Sequence, residues 1–291
     1  MSDQPRSVET PTFLITKEYR RFAEFCDAVK RYRYIGVCYG PSGVGKTISA
    51  RHYAHWEQLE PVLNVRGVAP EATRPPEIVN WRTVIYTPTV TTSPKQVAEG
   101  VDLLCRSLSW EIEAELHPDE PDIYAHMRAT WTELVLVDEA DRLKLAALET
   151  LRDRYDRGQI GLVLIGMPGL EKRLARYAQF YSRIGFVHEF RTLSEGEMSF
   201  ILACQWQRLG LLLEPDHASD AEAMATVIRI TGGNFRLIER LFSQIDRVLK
   251  INNLEAVTRE VVETARESLV IGPPCHPATN RSNFPARNQS K

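Results

Sequence analysis

Gly40-Pro41-Ser42-Gly43-Val44-Gly45-Lys46-Thr47 follows the apolar run Tyr34-Ile35-Gly36-Val37-Cys38-Tyr39 and opens a helix-forming stretch that reaches about Gln58. Glycine, four residues, then Gly-Lys-Thr, set between a strand and a helix, is the pattern of a phosphate-binding loop. The glycines let the backbone turn tightly and aim its N–H groups inward, and the helix N-terminus adds its dipole. All eight residues are therefore expected around the phosphates of a nucleotide. Lys46 brings a full charge to the β- and γ-phosphates, and the Thr47 hydroxyl suits Mg2+. A glycine-rich turn before an ordinary helix is the plainer alternative, and the complete motif weighs against it.

Leu134-Val135-Leu136-Val137-Asp138-Glu139-Ala140-Asp141 supplies an acidic partner. Its apolar half reads as a strand buried on both faces of a parallel sheet, so Asp138 falls at the carboxyl end, where ligands bind. Asp138 is expected to hold Mg2+, and Glu139 to act as general base on the attacking water. The same pair also suits a helix start. Loop and acidic strand together point to hydrolysis of a nucleoside triphosphate.

The other bounds are broad. With 291 residues, 43% apolar and 25% charged, the chain has room for one large domain or two modest ones. A net charge of −2 gives no overall bias toward nucleic acid, so contact with DNA must come from a local patch. Cys26, Cys38, Cys105, Cys204 and Cys275 are scattered without a CxxC pair, as reduced core residues of a cytoplasmic protein are. No apolar run has the length of a membrane span, no signal-peptide core is visible at the start, and the seven histidines lack metal-site spacing.

Along the chain, residues 1–13 read as a polar tail. Thr16 is placed to cap a helix carrying Phe22, Phe25, Cys26 and Val29, with Arg20, Arg21, Lys30, Arg31 and Arg33 on its other side. Leu59 to Asn80, with four prolines, reads as an extended surface insertion, and Trp81 to Tyr86 as a strand. Ser93-Pro94 opens a helix with Lys95 in its first turn, and Pro118 to Trp131 reads as another. A helix over Leu143–Tyr155 with Leu145 on its apolar face, a strand over Gly161–Gly166, a basic helix over Pro168–Tyr177 and a strand over Phe186–Phe190 follow. This alternation predicts an α/β fold with a parallel sheet over residues 14–192. Helices capped near Ser194, Asp220, Phe235 and Thr258 predict a helical domain over 193–271, and 272–291 a disordered tail.

The phosphate loop, the Asp-Glu strand, Ser182-Arg183 before the last strand and the C-terminal helices together resemble the AAA+ ATPases, over residues 14 to 270. Within that superfamily the loop and the Leu-Val-Leu-Val-Asp-Glu-Ala-Asp-Arg-Leu strand are similar to transposon-encoded regulators of the TnsC, TniB and MuB group. The resemblance implies a P-loop core with a helical lid, ATP and Mg2+ as cofactors, and ATP hydrolysis. It places Arg183 as an arginine finger acting on a neighbouring subunit, where an arginine paired with a surface carboxylate is the alternative. It places Arg236, in Thr231-Gly232-Gly233-Asn234-Phe235-Arg236, as the sensor 2 arginine of the lid.

One departure concerns the end of the fourth strand, where the family has a polar Asn or Thr and this chain has Gly166-Met167; slow hydrolysis is the expected result. The resemblance further implies assembly with ATP around double-stranded DNA as a ring or helical homo-oligomer. Transposase recruitment follows from it, with a target-selector protein as a further partner, and Lys95 as the candidate DNA contact. A helicase loader or replication-initiator switch, and a P-loop kinase acting without DNA, are the competing readings.

Overall fold

The computed structural model describes residues 13–63, 74–119, 124, 131–158 and 160–269. The tails expected at 1–13 and 272–291, apart from residue 13, and nearly all of the helix expected over 118–131 lie outside those residues, as does the middle of the segment 59–80.

Ile35–Tyr39 (β1), Thr83–Tyr86 (β2), Leu134–Val137 (β3), Gly161–Gly166 (β4) and Ile184–Glu189 (β5) form one sheet in the order β2-β3-β4-β1-β5. Every neighbouring pair is parallel. The inner strands β3 and β4 are buried along their whole length, which is why they read as unbroken apolar runs. The edge strand β5 instead alternates half-buried and exposed residues. Parallel pairing requires crossovers, and helices supply them: Lys46–Tyr53 (α2), Trp56–Val62 (α3) and Pro94–Leu116 (α4) between β1 and β3, Leu145–Gly158 (α5) before β4, and Leu170–Ala175 (α6) and Ala178–Tyr181 (α7) before β5. Lys17–Tyr32 (α1) precedes β1 and packs on β1, β4 and β5.

Local rules explain several of these boundaries. The Thr16 hydroxyl accepts from the Tyr19 N–H at 3.0 Å and starts α1. Ser93 and Gln96 form a reciprocal capping box at the start of α4, with Pro94 in its first turn.

Four expectations need correction. The helix expected to run from Lys46 to Gln58 stops at Tyr53, because His55 turns left-handed at φ 51° and the chain redirects so that Trp56, Leu59 and Val62 enter the core. Leu59–Asn80 is accordingly no simple surface insertion: its start belongs to α3, and Ile78, in a 3-10 turn over Pro76–Asn80, is fully buried. The helix expected from Leu143 begins at Leu145, which is exposed while Leu143 and Ala147 take the buried places. The basic helix expected over 168–177 is shorter, Leu170–Ala175 (α6), and a further short helix, α7, follows it at Ala178–Tyr181.

Beyond β5, Glu195–Arg208 (α8), Ala218–Thr231 (α9), Phe235–Asn252 (α10) and Arg259–Glu267 (α11) follow without an intervening strand. Buried apolar side chains fall into two clusters, one built on the sheet from Phe22 to Phe190, the other within these four helices from Met198 to Ala265. Trp206 and Phe242 meet edge to face at 5.1 Å in the second. Glu197 joins the two parts: one carboxylate oxygen accepts from the Lys17 N–H at 2.7 Å at the start of α1, the other from the Ser194 N–H and hydroxyl at the start of α8.

Candidate active site

The loop after β1, the acidic turn after β3 and the end of β4 lie together at the carboxyl edge of the sheet, where Tyr39 pairs with Gly166 and Val137 with Leu164. They line a cleft of about 290 Å³ whose walls include Gly45, Lys46, Thr47, Asp138, Asp141 and Arg236.

Lys46 folds over the loop and donates to the Gly40 and Pro41 carbonyls at 2.6 and 2.7 Å. Burial pushes its ammonium below the ordinary value, against the opposing pull of Cys38, Asp138 and Asp141. A partly desolvated cation held only by carbonyl oxygens has much to gain from an anion. The Gly43 and Gly45 N–H groups have no acceptor in the protein among the described residues, which makes them free donors for the same anion.

Across the cleft, the Thr47 hydroxyl donates to Asp138 Oδ2 at 2.7 Å, and the Glu139 N–H donates to the other oxygen at 2.9 Å. Asp138 is buried at the end of β3, while Glu139 sits in a left-handed turn at φ 53° and pairs with Arg142 at the cleft wall. A hydroxyl beside a buried carboxylate is a hard-oxygen pair that fits Mg2+. The donor set therefore matches a triphosphate with its metal: free N–H groups and an ammonium for phosphate, oxygens for the cation.

Asp141 fills the place opposite the end of β4. Its Oδ1 accepts from the Met167 N–H at 3.1 Å, and a Cβ on Gly166 would lie 2.6 Å from that oxygen. The missing side chain at Gly166 thus leaves room for a carboxylate brought from the acidic turn. The C-terminal helices close the cleft from the other side, where Arg236 Nη1 donates to Ser42 Oγ at 3.1 Å and its N–H to the Gly43 carbonyl at 3.0 Å.

Residues 29–174 match the family described as AAA domain. A Staphylococcus aureus protein named potential ATP-binding protein is 48% identical over 267 residues, spanning 89% of this chain and 97% of its own length. The chain belongs to the AAA+ ATPase family. The Mu-like prophage FluMu DNA transposition protein B of Haemophilus influenzae is 24% identical over 246 residues, 81% of this chain and 73% of that protein. Among solved structures the AAA+ fold recurs in the Thermotoga maritima RuvB Holliday junction branch migration motor, at a TM-score of 0.54 and 18% identity over 88% of this chain and 70% of that one. It recurs again in the Aeropyrum pernix ORC1 protein in complex with DNA, at 0.55 and 18% over 88% and 66%.

In this AAA+ ATPase the remaining sequence-marked residues lie outside the cleft. The Arg183 carbonyl accepts from the Ile35 N–H, so Arg183 stands at the amino end of β1, a whole strand away from the loop that follows Tyr39. Its guanidinium donates to Asp156 at 2.6 Å and to the Gln179 carbonyl at 2.9 Å. Arg173 in α6 is tied to the Asp141 and Leu143 carbonyls. Lys95 is 83% exposed, with Glu99 at 3.7 Å as its one ion-pair partner among the described residues. Among those residues, no helix of the AAA+ ATPase is long and apolar enough to cross a membrane.

The sequence reading assigned no role to Asp141 or Asn234. Asp141 was in view within Asp-Glu-Ala-Asp, but its meeting with Met167 depends on sheet order. Asn234 carried only the signal of a helix cap after a Gly-Gly pair.

Proposed function

We propose that this AAA+ ATPase is an ATP-dependent, double-stranded-DNA-binding regulator of transposition. It assembles on DNA as a ring or helical homo-oligomer, selects target sites alone or with a selector protein, and recruits or activates a transposase in the cytoplasm. The likeness to the Mu-like prophage DNA transposition protein B over 81% of the chain carries the reading. The separation of the apolar clusters supports a division into a nucleotide-binding domain over 14–192 and a lid over 193–271.

The proposed chemistry follows from the cleft. Lys46 leaves the Gly40 and Pro41 carbonyls for the β- and γ-phosphates, beside the loop N–H groups. Thr47 and Asp138 hold Mg2+, which when bound neutralises phosphate charge. Glu139, parted from Arg142, takes the proton of the attacking water. Asp141 stands where family members offer a neutral polar side chain; an ionised carboxylate accepts but cannot donate, and it repels a γ-phosphate. That keeps turnover slow, as suits an assembly that must persist on DNA.

Arg183 lies too far from its own cleft to serve it, and acts in trans once it leaves Asp156. Arg236 reports the loop's occupancy to the lid. One or two cations per subunit, Lys95 first among them, become a continuous phosphate track when repeated along an assembly.

The test is fluorescence anisotropy of a labelled duplex titrated with protein. Cooperative binding with ATP or a non-hydrolysable analogue, and little without nucleotide, is expected. Absence of DNA binding under every nucleotide condition at low salt would refute the proposal.

A further inference from the structure

The Asn234 side chain does two jobs with its two ends. Its Oδ1 caps α10 by accepting from the Leu237 N–H at 3.2 Å, while its Nδ2 donates to the Ser42 carbonyl in the phosphate loop at 2.7 Å, 192 residues away in sequence. These contacts fix the amide's orientation, since the flipped form would set oxygen against the Ser42 oxygen and nitrogen against the Leu237 N–H. The loop is shaped to receive the group. Gly43 has φ 81°, and a Cβ there would lie 2.4 Å from Asn234 Oδ1. Any side chain at 43 would expel the asparagine.

We propose that Asn234 is a positioning residue through which the lid holds the Ser42–Gly43 peptide in its phosphate-receptive orientation. In a planar trans peptide the C=O and N–H point in opposite directions, and no cis bond occurs among the described residues. Holding the Ser42 carbonyl toward the lid therefore turns the Gly43 N–H away from it, as one of the free donors of the loop. The Arg236 N–H, donating to the Gly43 carbonyl at 3.0 Å, fixes the next peptide in the same way. The coupling is reciprocal: a lid that swings away releases the loop, and phosphate that draws on the Gly43 N–H strengthens the lid contact. This inference rests on the nucleotide-binding reading of the cleft.

Asn234→Ser separates the two jobs. Serine is an equally good helix cap, but its hydroxyl is one bond too short to reach the Ser42 carbonyl, and it adds no charge beside the phosphates. The measurement is displacement of a fluorescent ADP, without magnesium, by ADP and by AMP, alongside thermal unfolding. Melting lowered by no more than the roughly 2–4 °C that one lost hydrogen bond costs, an ADP affinity about fivefold weaker and an unchanged AMP affinity are expected. Equal ADP affinity in parent and variant would reduce Asn234 to a cap and overturn the proposal, as would an equal loss for ADP and AMP. If the serine variant does not fold, Asn234→Thr, also a neutral cap, carries the same expectation. A parent protein that binds no ADP would instead sink the nucleotide reading itself.

Discussion

The Thr47 hydroxyl donates to the Asp138 carboxylate at 2.7 Å, joining residues 91 apart in the chain across the end of β4. The strands β1 and β3 that precede them are not neighbours, and β4 lies between, so the contact is made only once all three strands have paired in that order. In the proposed site these two oxygens hold Mg2+. Asp138→Asn keeps the shape and removes the charge. It is expected to abolish the Mg2+-dependent part of ATP affinity and to lower turnover by about a hundredfold. Titration of fluorescent ATP with and without Mg2+ checks it; equal Mg2+ dependence in parent and variant would remove Asp138 from the metal site.

Glu139 lines the cleft proposed to hold the nucleotide and is held by Arg142 in a left-handed turn. Glu139→Gln preserves size and loses the basic oxygen. ATP binding is expected to persist while phosphate release falls by about 10²–10⁴-fold, the usual worth of a positioned general base. Normal turnover in the variant would mean that another group accepts the proton.

Asp141 gives an expectation of opposite sign. Asp141→Asn can still accept from the Met167 N–H, gains a donor toward the γ-phosphate and loses a repelling charge. Turnover is expected to rise, roughly tenfold if one hydrogen bond in the transition state is gained. A fall in steady-state phosphate release would show that the carboxylate itself is needed.

The Glu197 carboxylate serves the first turns of both α1 and α8. Burial alone would raise its pKa, yet the hydrogen bonds from Ser194, Lys17 and Glu18 outweigh burial and hold it below the ordinary 4.5. A depressed folded-state value means a stabilising contribution that is fully present above 4.5 and lost as pH falls through the folded value. Glu197→Gln is therefore expected to cost about 1–2 kcal/mol at neutral pH, with the gap to the parent closing as pH drops below about 4.5. Melting temperatures across that range decide it; a gap independent of pH would assign the effect to shape instead of charge.

Much of this was legible because it is local. The phosphate loop, the Asp138-Glu139 turn, the caps at Thr16 and Ser93 and the strands β1, β3 and β4 each follow from a few adjacent residues, and the parallel sheet from their alternation. What stayed hidden depends on distant partners. His55 breaks a helix because Trp56 has a core to enter, and Leu145 is exposed because a 3-10 turn at Ala140–Arg142 delays the helix. Asp141 gains its place only when β3 and β4 are adjacent, and Asn234 only when the lid reaches the loop.

In the proposed assembly each site is completed by a second copy of the chain, with Arg183 supplied across the interface. Mixing two inactive variants tests it most directly. Arg183→Ala retains a complete cleft and lacks the finger; Glu139→Gln retains the finger and lacks the base. Each alone is expected to hydrolyse ATP negligibly. Their equimolar mixture on DNA should recover about one quarter of the parental rate, the fraction of randomly formed interfaces that pair an intact cleft with an intact arginine. A mixture no more active than its components, or an Arg183→Ala protein active by itself, would contradict the shared site.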